Sequence, residues 1–230
     1  MSNILSLITF LPLLGAGIIG LFVQGSDAQS SENAKRVSLL TSIIVFLLSL
    51  VMFSGFDKNS SDFQFIEEFL WLGFFNYKLG VDGISVILIL LTTGMMPIVF
   101  LSSWTTNKRV KEYLISFLIL ETLMIGVFVS LDIFLFYVFF EAGLIPMFLI
   151  IGIWGGKERV FASFKFFLYT LFGSILMLIA MIVMWDISGT TDMTKLLKYD
   201  FESEPFYMLG VYIPSGVQTL LWLGFFASFA

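Results

Sequence analysis

The sequence contains no cysteine and no histidine among its 230 residues. Without cysteine, the chain has neither disulfide bonds nor thiolate ligands for a metal ion or an iron–sulfur cluster. Without histidine, it lacks the side chain that most often binds metals and exchanges protons near neutral pH. Any proton chemistry in this chain must therefore use carboxylates, lysines and water.

Charged residues are also scarce, at 13% of the sequence, whereas hydrophobic residues make up 58%. A soluble domain of ordinary composition has about 25% charged residues. A globule of this length could not cover its surface with so few charges, so the composition predicts a membrane protein in a lipid bilayer. The net charge of -5 excludes nucleic acid as a partner, because nucleic acid would need a basic face.

Long apolar runs are what the sequence has instead, and a membrane-spanning helix needs about 20 mostly apolar residues. They predict an all-α polytopic transmembrane helix bundle with six complete membrane helices and the start of a seventh, forming a single domain over residues 1–230. Because the last run stops at Ala230 without a polar exit, we expect a truncated front part of a longer protein. The predicted helices cover residues 4–23, 37–55, 81–101, 113–130, 133–153, 161–185 and 214–230.

Lysine and arginine are concentrated in alternate connections between the predicted helices. The first, third and fifth connections hold seven of them, and the second, fourth and sixth hold four. Since basic connections face the cytoplasm, this predicts an external N-terminus. The long polar connections at 56–80 and 187–213 are then external, and we expect ordered caps or short amphipathic helices there rather than separate domains.

Three charged residues lie away from the ends of the predicted helices: Glu121, Glu141 and Lys165. A tight turn joins the fourth and fifth helices, so these helices must be antiparallel neighbours. Counted from that turn, both glutamates lie roughly 14–16 Å from the external face, near the middle of a ~30 Å hydrocarbon core. An ionisable group at that depth costs at least ~2.5–3.5 kcal/mol and usually marks an ion path or a proton relay.

Structural interpretations of these residues remain open. A protonated Glu141 or Glu121 could serve as a hydrogen-bonding contact between helices. Lys165, roughly 8 Å inside the sixth helix, could extend to the interface instead of relaying protons. Pro146 cannot donate to the carbonyl of Ala142, and this leaves an acceptor for water beside Glu141, although a packing kink explains the proline equally well.

Aspartates at two predicted helix starts have a structural explanation. Asp82 precedes the third helix, and Asp132 lies in the turn before the fifth. A carboxylate at a helix N-terminus accepts hydrogen bonds from free N–H groups and interacts favourably with the helix dipole. We therefore predict that both aspartates are N-caps.

Four segments carry a family resemblance: YKLGVDGIS at 77–85, SLDIFLFYVFFEAGLIPMFLIIGIWGG at 130–156, FKFFLYT at 164–170 and LGFFASFA at 223–230. Together they closely resemble the chain M (subunit 4) family of the respiratory NADH–quinone oxidoreductase, complex I, which is one of its antiporter-like subunits. Each segment alone is shared with the related antiporter-like subunits and with multisubunit cation/proton antiporters.

The resemblance implies a proton channel whose two half-routes meet at the membrane centre. Glu141 matches the essential helix-five glutamate of the family, and Lys165 matches a lysine of the sixth helix, as a relay or charge partner. Depth alone makes Glu121 a second candidate carboxylate. The family's central lysine follows a stretch similar to LGFFASFA and would come after Ala230. The implied role is proton translocation coupled to quinone reduction and respiratory electron transport.

The resemblance also implies where the cofactors are. NADH, flavin, iron–sulfur clusters and quinone are expected in other subunits, and none in this chain. The expected partners are the other membrane subunits of complex I, the lipid bilayer, protons and internal water. The absence of a transit sequence favours a bacterial inner (plasma) membrane over the mitochondrial inner membrane. Two alternatives remain: a subunit of a multisubunit cation/proton antiporter, and a non-conducting assembly scaffold.

Overall fold

The computed structural model describes residues 3–23, 28–70, 76–106, 108–201, 206–208, 211–213 and 216–228. Within these ranges, six helices are long and apolar enough to cross a membrane, which confirms the predicted helical membrane bundle. The helices are α1 (Ile4–Phe22), α2 (Ala28–Ser54), α3 (Gly83–Ser102), α4 (Val110–Val129), α5 (Ile133–Trp154), α6 (Arg159–Ser188), α7 (Met193–Leu196) and α8 (Gly216–Ser228). The strands are β1 (Gln64–Leu70), β2 (Asn76–Val81), β3 (Phe206–Met208) and β4 (Val211–Ile213).

Two helices are longer than their apolar runs. Helix α2 begins at Ala28 instead of near residue 37, and α6 covers Arg159–Ser188 instead of 161–185. The added first turns of α2 are polar, and an ion pair of 2.5 Å between Arg36 and Glu32, one turn apart, supports them. Hydropathy marks only the apolar part of a helix and therefore misses such an extension. For the seventh run, 216–228 is helical, and 214–215 and 229–230 lie outside the described residues.

The two long connections contain short hairpins that the sequence analysis did not predict. Strand β1 pairs antiparallel with β2, with a register shift between Gln64 and Glu67, and β3 pairs with β4. Between the hairpins in sequence, the four-residue helix α7 follows Asp192, whose side chain accepts from the N–H of Thr194. Cross-strand pairing rather than a strong local pattern fixes such hairpins, so the sequence analysis, which expected ordered caps or short amphipathic helices here, did not identify the strands.

Backbone hydrogen bonds connect the parts that meet at one end of the bundle. The N–H of Leu131 donates to the carbonyl of Lys78 in β2 at 2.9 Å, and the N–H of Met193 donates to the carbonyl of Leu131 at 2.8 Å. The N–H of Ile133 donates to the carbonyl of Thr191 at 3.0 Å. The β1–β2 hairpin, the α4–α5 turn and the start of α7 therefore form one connected layer, here called the hairpin end; the opposite end is the far end.

The helices pack in a fixed order. Helix α4 is the centre of a group in which it contacts α1, α2, α3 and α5, and the bundle continues from α5 to α6 and from α6 to α8. Two apolar clusters fill the α1–α4 group. The hairpin-end cluster is Ile4, Leu5, Ile8, Val45, Met52, Leu79, Val81, Val86, Ile89, Ile125, Val129, Leu135 and Phe139. The far-end cluster is Ala16, Ile19, Ala34, Met96, Phe100, Val110, Leu114 and Leu118.

Candidate functional site

The turn between α4 and α5 fixes the depth of both candidate carboxylates. Asp132 is buried there and accepts hydrogen bonds from the N–H groups of Phe134 at 3.0 Å and Leu135 at 3.1 Å, and the hydroxyl of Thr191 donates to its other oxygen. Helix α3 begins in a similar way, since Asp82 accepts from the N–H of Ser85 at 2.8 Å. Both predicted N-caps are confirmed, and α4 and α5 are antiparallel neighbours.

Glu141 lies in the middle of α5, about 12 Å along the helix from Ile133. Leu135 and Phe139 of α5 belong to the hairpin-end cluster, whereas Glu141 points away from that face and is half-buried. Its Oε1 atom is shielded from solvent and has no hydrogen-bond partner among the described residues. A carboxylate oxygen of this kind can bind a proton or a water molecule.

Two hydroxyl groups accompany Glu141 at the interface between α5 and α6. Tyr137 precedes Glu141 by one helical turn, and its hydroxyl interacts with both the Glu141 carboxylate and Ser174 of α6. Ser174 is almost fully buried and donates to the carbonyl of Leu171 at 2.9 Å. The sequence analysis missed both residues. The spacing of four residues between Tyr137 and Glu141 could have identified the tyrosine, because side chains at that spacing are neighbours on a helix.

Lys165 lies on α6, roughly 9 Å from the start of that helix at Arg159. The face of α6 that packs on α5 includes Ser163 and Phe167, and Phe167 contacts Phe148. Lys165 lies two residues after Ser163, on the opposite face, and is exposed. Within the part of the chain that the structure describes, Lys165 forms no ion pair, so the structure does not bring it together with Glu141.

Glu121 is fully buried in α4, at 0% exposure. It lies on the same face of α4 as Leu114, Leu118, Ile125 and Val129, which pack on helices α1–α3. Glu141 instead lies at the α5–α6 interface. The two glutamates therefore share a depth but occupy different interfaces, a distinction that depends on helix rotation.

Helices α5 and α1 each contain a proline. Pro146 is buried within α5 and, because it has no N–H, leaves the carbonyl of Ala142 without its usual helical donor. Pro12 does the same to the carbonyl of Ile8 in α1. Each freed carbonyl is an acceptor for a hydrogen bond from water or a polar side chain. Neither glutamate site resembles a metal centre, since no group of three or more potential ligands occurs among the described residues.

Sequence comparisons give close relatives. Residues 130–229 match the family described as NADH:quinone oxidoreductase/Mrp antiporter, TM. The chain is 54% identical to NADH-quinone oxidoreductase subunit M of Rhodobacter capsulatus, over 100% of this chain and 45% of that protein. It is 47% identical to NADH-ubiquinone oxidoreductase chain 4 of Mycosarcoma maydis, over 94% of this chain and 46% of that protein.

The fold has a close counterpart among solved structures. It matches a chain of the respiratory complex I from Thermus thermophilus with bound NADH, with a TM-score of 0.77 and 25% identity, over 98% of this chain and 43% of that chain. The chain thus spans about half the length of the relatives that it matches. By sequence and fold, this chain belongs to the family of NADH–quinone oxidoreductase subunit M, also called chain 4.

Proposed function

We propose that this chain belongs to a membrane-arm subunit that translocates protons while other subunits of an NADH–quinone oxidoreductase reduce quinone. The observation that carries the proposal is Glu141, a carboxylate in the middle of a membrane helix, one oxygen of which is shielded and has no hydrogen-bond partner in the described part of the chain. The names of the relatives support the same assignment. A bacterial inner membrane is the proposed location, in agreement with the relative from Rhodobacter capsulatus.

In this proposal Glu141 gains and loses the transported proton. The Tyr137 hydroxyl donates a hydrogen bond to Glu141 when the carboxylate is ionised, and Ser174 positions the tyrosine. The freed carbonyl of Ala142 holds water at the carboxyl group. A positive charge that approaches Glu141 lowers its proton affinity, and one that withdraws raises it. Movement of charge in neighbouring subunits can therefore drive uptake and release.

Lys165 has a different place in this mechanism. Because it is exposed on the far side of α6 from Glu141, we assign it the role of a charge partner for groups outside the described residues, rather than a direct relay. The redox cofactors, namely NADH, flavin, iron–sulfur clusters and quinone, are proposed to bind to other subunits of the complex. The exposed apolar faces of the helices contact lipid and those subunits.

The proposal is tested by Glu141→Gln in the full-length protein assembled in its complex. Glutamine keeps the shape of the side chain but cannot exchange a proton, so we expect proton pumping and most coupled NADH–quinone activity to be lost while assembly persists. Pumping is measured in sealed vesicles, and assembly on native gels. Glu158→Gln is the matched control, because Glu158 is exposed just before α6 and should leave pumping unchanged. Near-normal pumping by a well-assembled Glu141→Gln enzyme would falsify the proposal.

A second candidate function is a subunit of a multisubunit cation/proton antiporter, because the matching family description includes Mrp antiporters. The two functions differ in their energy source. NADH oxidation that acidifies vesicles containing the complex supports the first function. Acidification that needs an imposed sodium gradient and is unaffected by NADH supports the second.

A further inference from the structure

Glu121 is a buried carboxylate that the mechanism at Glu141 does not use. Both of its carboxylate oxygens are buried and without a hydrogen-bond partner among the described residues. The adjacent Thr122 is 3% exposed, and its hydroxyl oxygen is likewise without a partner there. Buried polar atoms are nearly always hydrogen-bonded, so three such atoms on two consecutive residues indicate a place where a small polar species binds.

Apolar side chains lie on both sides of Glu121 along the axis of α4. Along α4, Leu118 of the far-end cluster precedes Glu121, and Ile125 of the hairpin-end cluster follows it. Both clusters extend across helices α1, α2 and α3. Glu121 therefore lies in a polar layer between two apolar layers, inside a group of four helices.

No opposite charge is available to an ionised Glu121 from the helices packed around it. Helices α1 and α3 contain no charged residue. The charged residues of α2 are Glu32, Lys35 and Arg36, in its first turns at the far end. An unpaired carboxylate in such surroundings is far less stable than a neutral carboxyl group. The neutral form carries a proton, which identifies the species that binds.

Polar groups lead to Glu121 from the hairpin end along α1. At the mouth, Glu67 of β1 accepts hydrogen bonds from the N–H of Leu5 at 2.7 Å and the N–H of Ser6 at 3.1 Å. The Ser6 hydroxyl also donates to Glu67 and lies 2.8 Å from the hydroxyl of Tyr77. Burial and then the Glu67 charge raise the pKa of Tyr77, although Ser6 opposes this, so the tyrosine keeps its proton.

The next groups are spaced at increasing depth. Thr9 is fully buried one turn further along α1, and Pro12 frees the carbonyl of Ile8. Both α1 and α4 contact the β1–β2 hairpin, so depths can be counted from Ile4 and Val129. Ser6, Thr9, Thr122 and Glu121 then lie roughly 3, 8, 11 and 12 Å below the hairpin end. Successive groups therefore differ in depth by no more than about 5 Å.

We propose that Glu121 is a second proton-binding site, separate from Glu141, and that protons reach it from the hairpin end along α1. On loading, an O–H bond forms at a Glu121 carboxylate oxygen and an O–H bond of a hydronium ion breaks. On release, the proton returns to water at the same end. This site goes beyond the role of Glu141 and does not depend on it.

Infrared difference spectra of the full-length protein in its complex test the proton directly. We expect the carbonyl stretch of a protonated carboxyl group to be present in the unmodified enzyme and in Glu141→Gln, and to be lost in Glu121→Gln. Glu121→Asp should shift the band rather than remove it, which covers the case in which Glu121→Gln fails to assemble. If the Glu121 variants leave every protonated-carboxyl band unchanged, the site does not exist.

The path is tested by the rate at which this band shifts after transfer to heavy water. Thr9→Val removes a hydroxyl on the proposed path, and we expect exchange to slow about tenfold, comparable to one lost hydrogen bond. Thr41→Val is the matched control. Thr41 also donates to the carbonyl four residues before it, at 2.8 Å as for Thr9, but it lies against Gly15, beyond Glu121 toward the far end.

Three outcomes would overturn the inference about access or ligand. Equal slowing by Thr9→Val and Thr41→Val would rule out entry from the hairpin end. Unchanged exchange in Thr9→Val would rule out the path along α1. A band that disappears when potassium is replaced by sodium would identify a cation site instead of a proton site. If Glu141→Gln kept normal pumping, the proposed function would fail while the Glu121 band could still be present. The two proposals can therefore fail separately.

Discussion

The group α1–α4 and the neighbouring helices α5, α6 and α8 surround their carboxylates in different ways. In the first group, Glu121 is fully enclosed, and some buried hydroxyls bond to each other, as Ser49 does with Thr93 at 2.8 Å. In the second group, Glu141 is half-buried, and Tyr137 and Ser174 accompany it. An apolar cavity of about 630 Å³ also lies there, lined mainly by phenylalanine and methionine side chains.

The degree to which each carboxylate is enclosed indicates how readily its proton exchange can be controlled. A carboxylate sealed inside a finished helix group can hold a proton, but other subunits have little means of changing its surroundings. A carboxylate on an open interface can respond when charges or helices move beside it. We therefore assign storage of a proton to Glu121 and coupled exchange to Glu141. The stability of substituted proteins tests whether the two groups are packed as this comparison requires.

The largest effect on stability is expected at the ion pair between β2 and the start of α7, at the hairpin end. The Lys78 Nζ atom lies 2.7 Å from Asp192 Oδ2, and both side chains are buried. Lys78→Met would leave a buried unpaired carboxylate and should destabilise the protein by about 3–5 kcal/mol. Thermal unfolding of the full-length protein in its complex measures the loss. Lys195→Met, at an exposed lysine of α7, is the control and should change stability little.

The same pair predicts a dependence of stability on pH. Burial works to raise the pKa of Asp192, but the hydrogen bonds and charge of Lys78, with Thr194, outweigh it and lower the pKa. Because the pKa of Asp192 is lower in the folded protein than in the unfolded chain, the ion pair contributes fully to stability at any pH above the unfolded-state pKa. This contribution is lost as the pH falls through the lowered value. Asp192→Asn should remove this acid dependence, and an unchanged acid profile would contradict the assignment.

A smaller effect is expected from packing between α4 and α5. A Cβ atom at Gly126 would lie 2.4 Å from Phe139, whereas one at Gly143 would meet nothing within 4 Å. Gly126→Ala should therefore destabilise the protein by about 1–3 kcal/mol. Gly143→Ala, in the more open group, should be neutral or stabilise by up to about 1 kcal/mol, because alanine favours helix. Equal unfolding temperatures for the two variants would show that the contrast in packing is wrong.

The smallest effect on stability is expected at the aspartate N-cap of α3, which is of the same kind as the N-cap of α5 in the other group. Asp82→Ala removes the acceptor for the N–H of Ser85 and should cost about 1 kcal/mol. Asp62→Ala, in an exposed part of the loop before β1, is the control and should change stability little. A cost well above this range would indicate a further role for Asp82.

Some features of the site were predictable from the sequence because they depend on counting. Because the α4–α5 turn is short, the depths of Glu121 and Glu141 followed from the number of residues between each glutamate and the turn. Asp132 was identifiable as an N-cap from its place in that turn. Helix rotation was not predictable, because these helices are apolar on nearly every face. The direction in which a glutamate points is then decided by contacts with several helices, which no local pattern records.

The hairpin end was less predictable for a related reason. Glu67 lies in a strand far from α1 in sequence, yet it accepts hydrogen bonds from Leu5 and Ser6 at the start of that helix. Only the folded hairpin brings these groups together. The Lys78–Asp192 pair joins residues even further apart in the chain. Pairings of this kind depend on the whole fold and leave no trace in a window of sequence.

The measurement that tests the comparison most directly is proton pumping per NADH oxidised by Glu141→Gln and Glu121→Gln, each in the full-length protein assembled in its complex. We predict that Glu141→Gln abolishes pumping and that Glu121→Gln retains most of it, because the two carboxylates occupy different interfaces. Equal loss in both variants, or a greater loss in Glu121→Gln, would contradict the separate roles assigned to them.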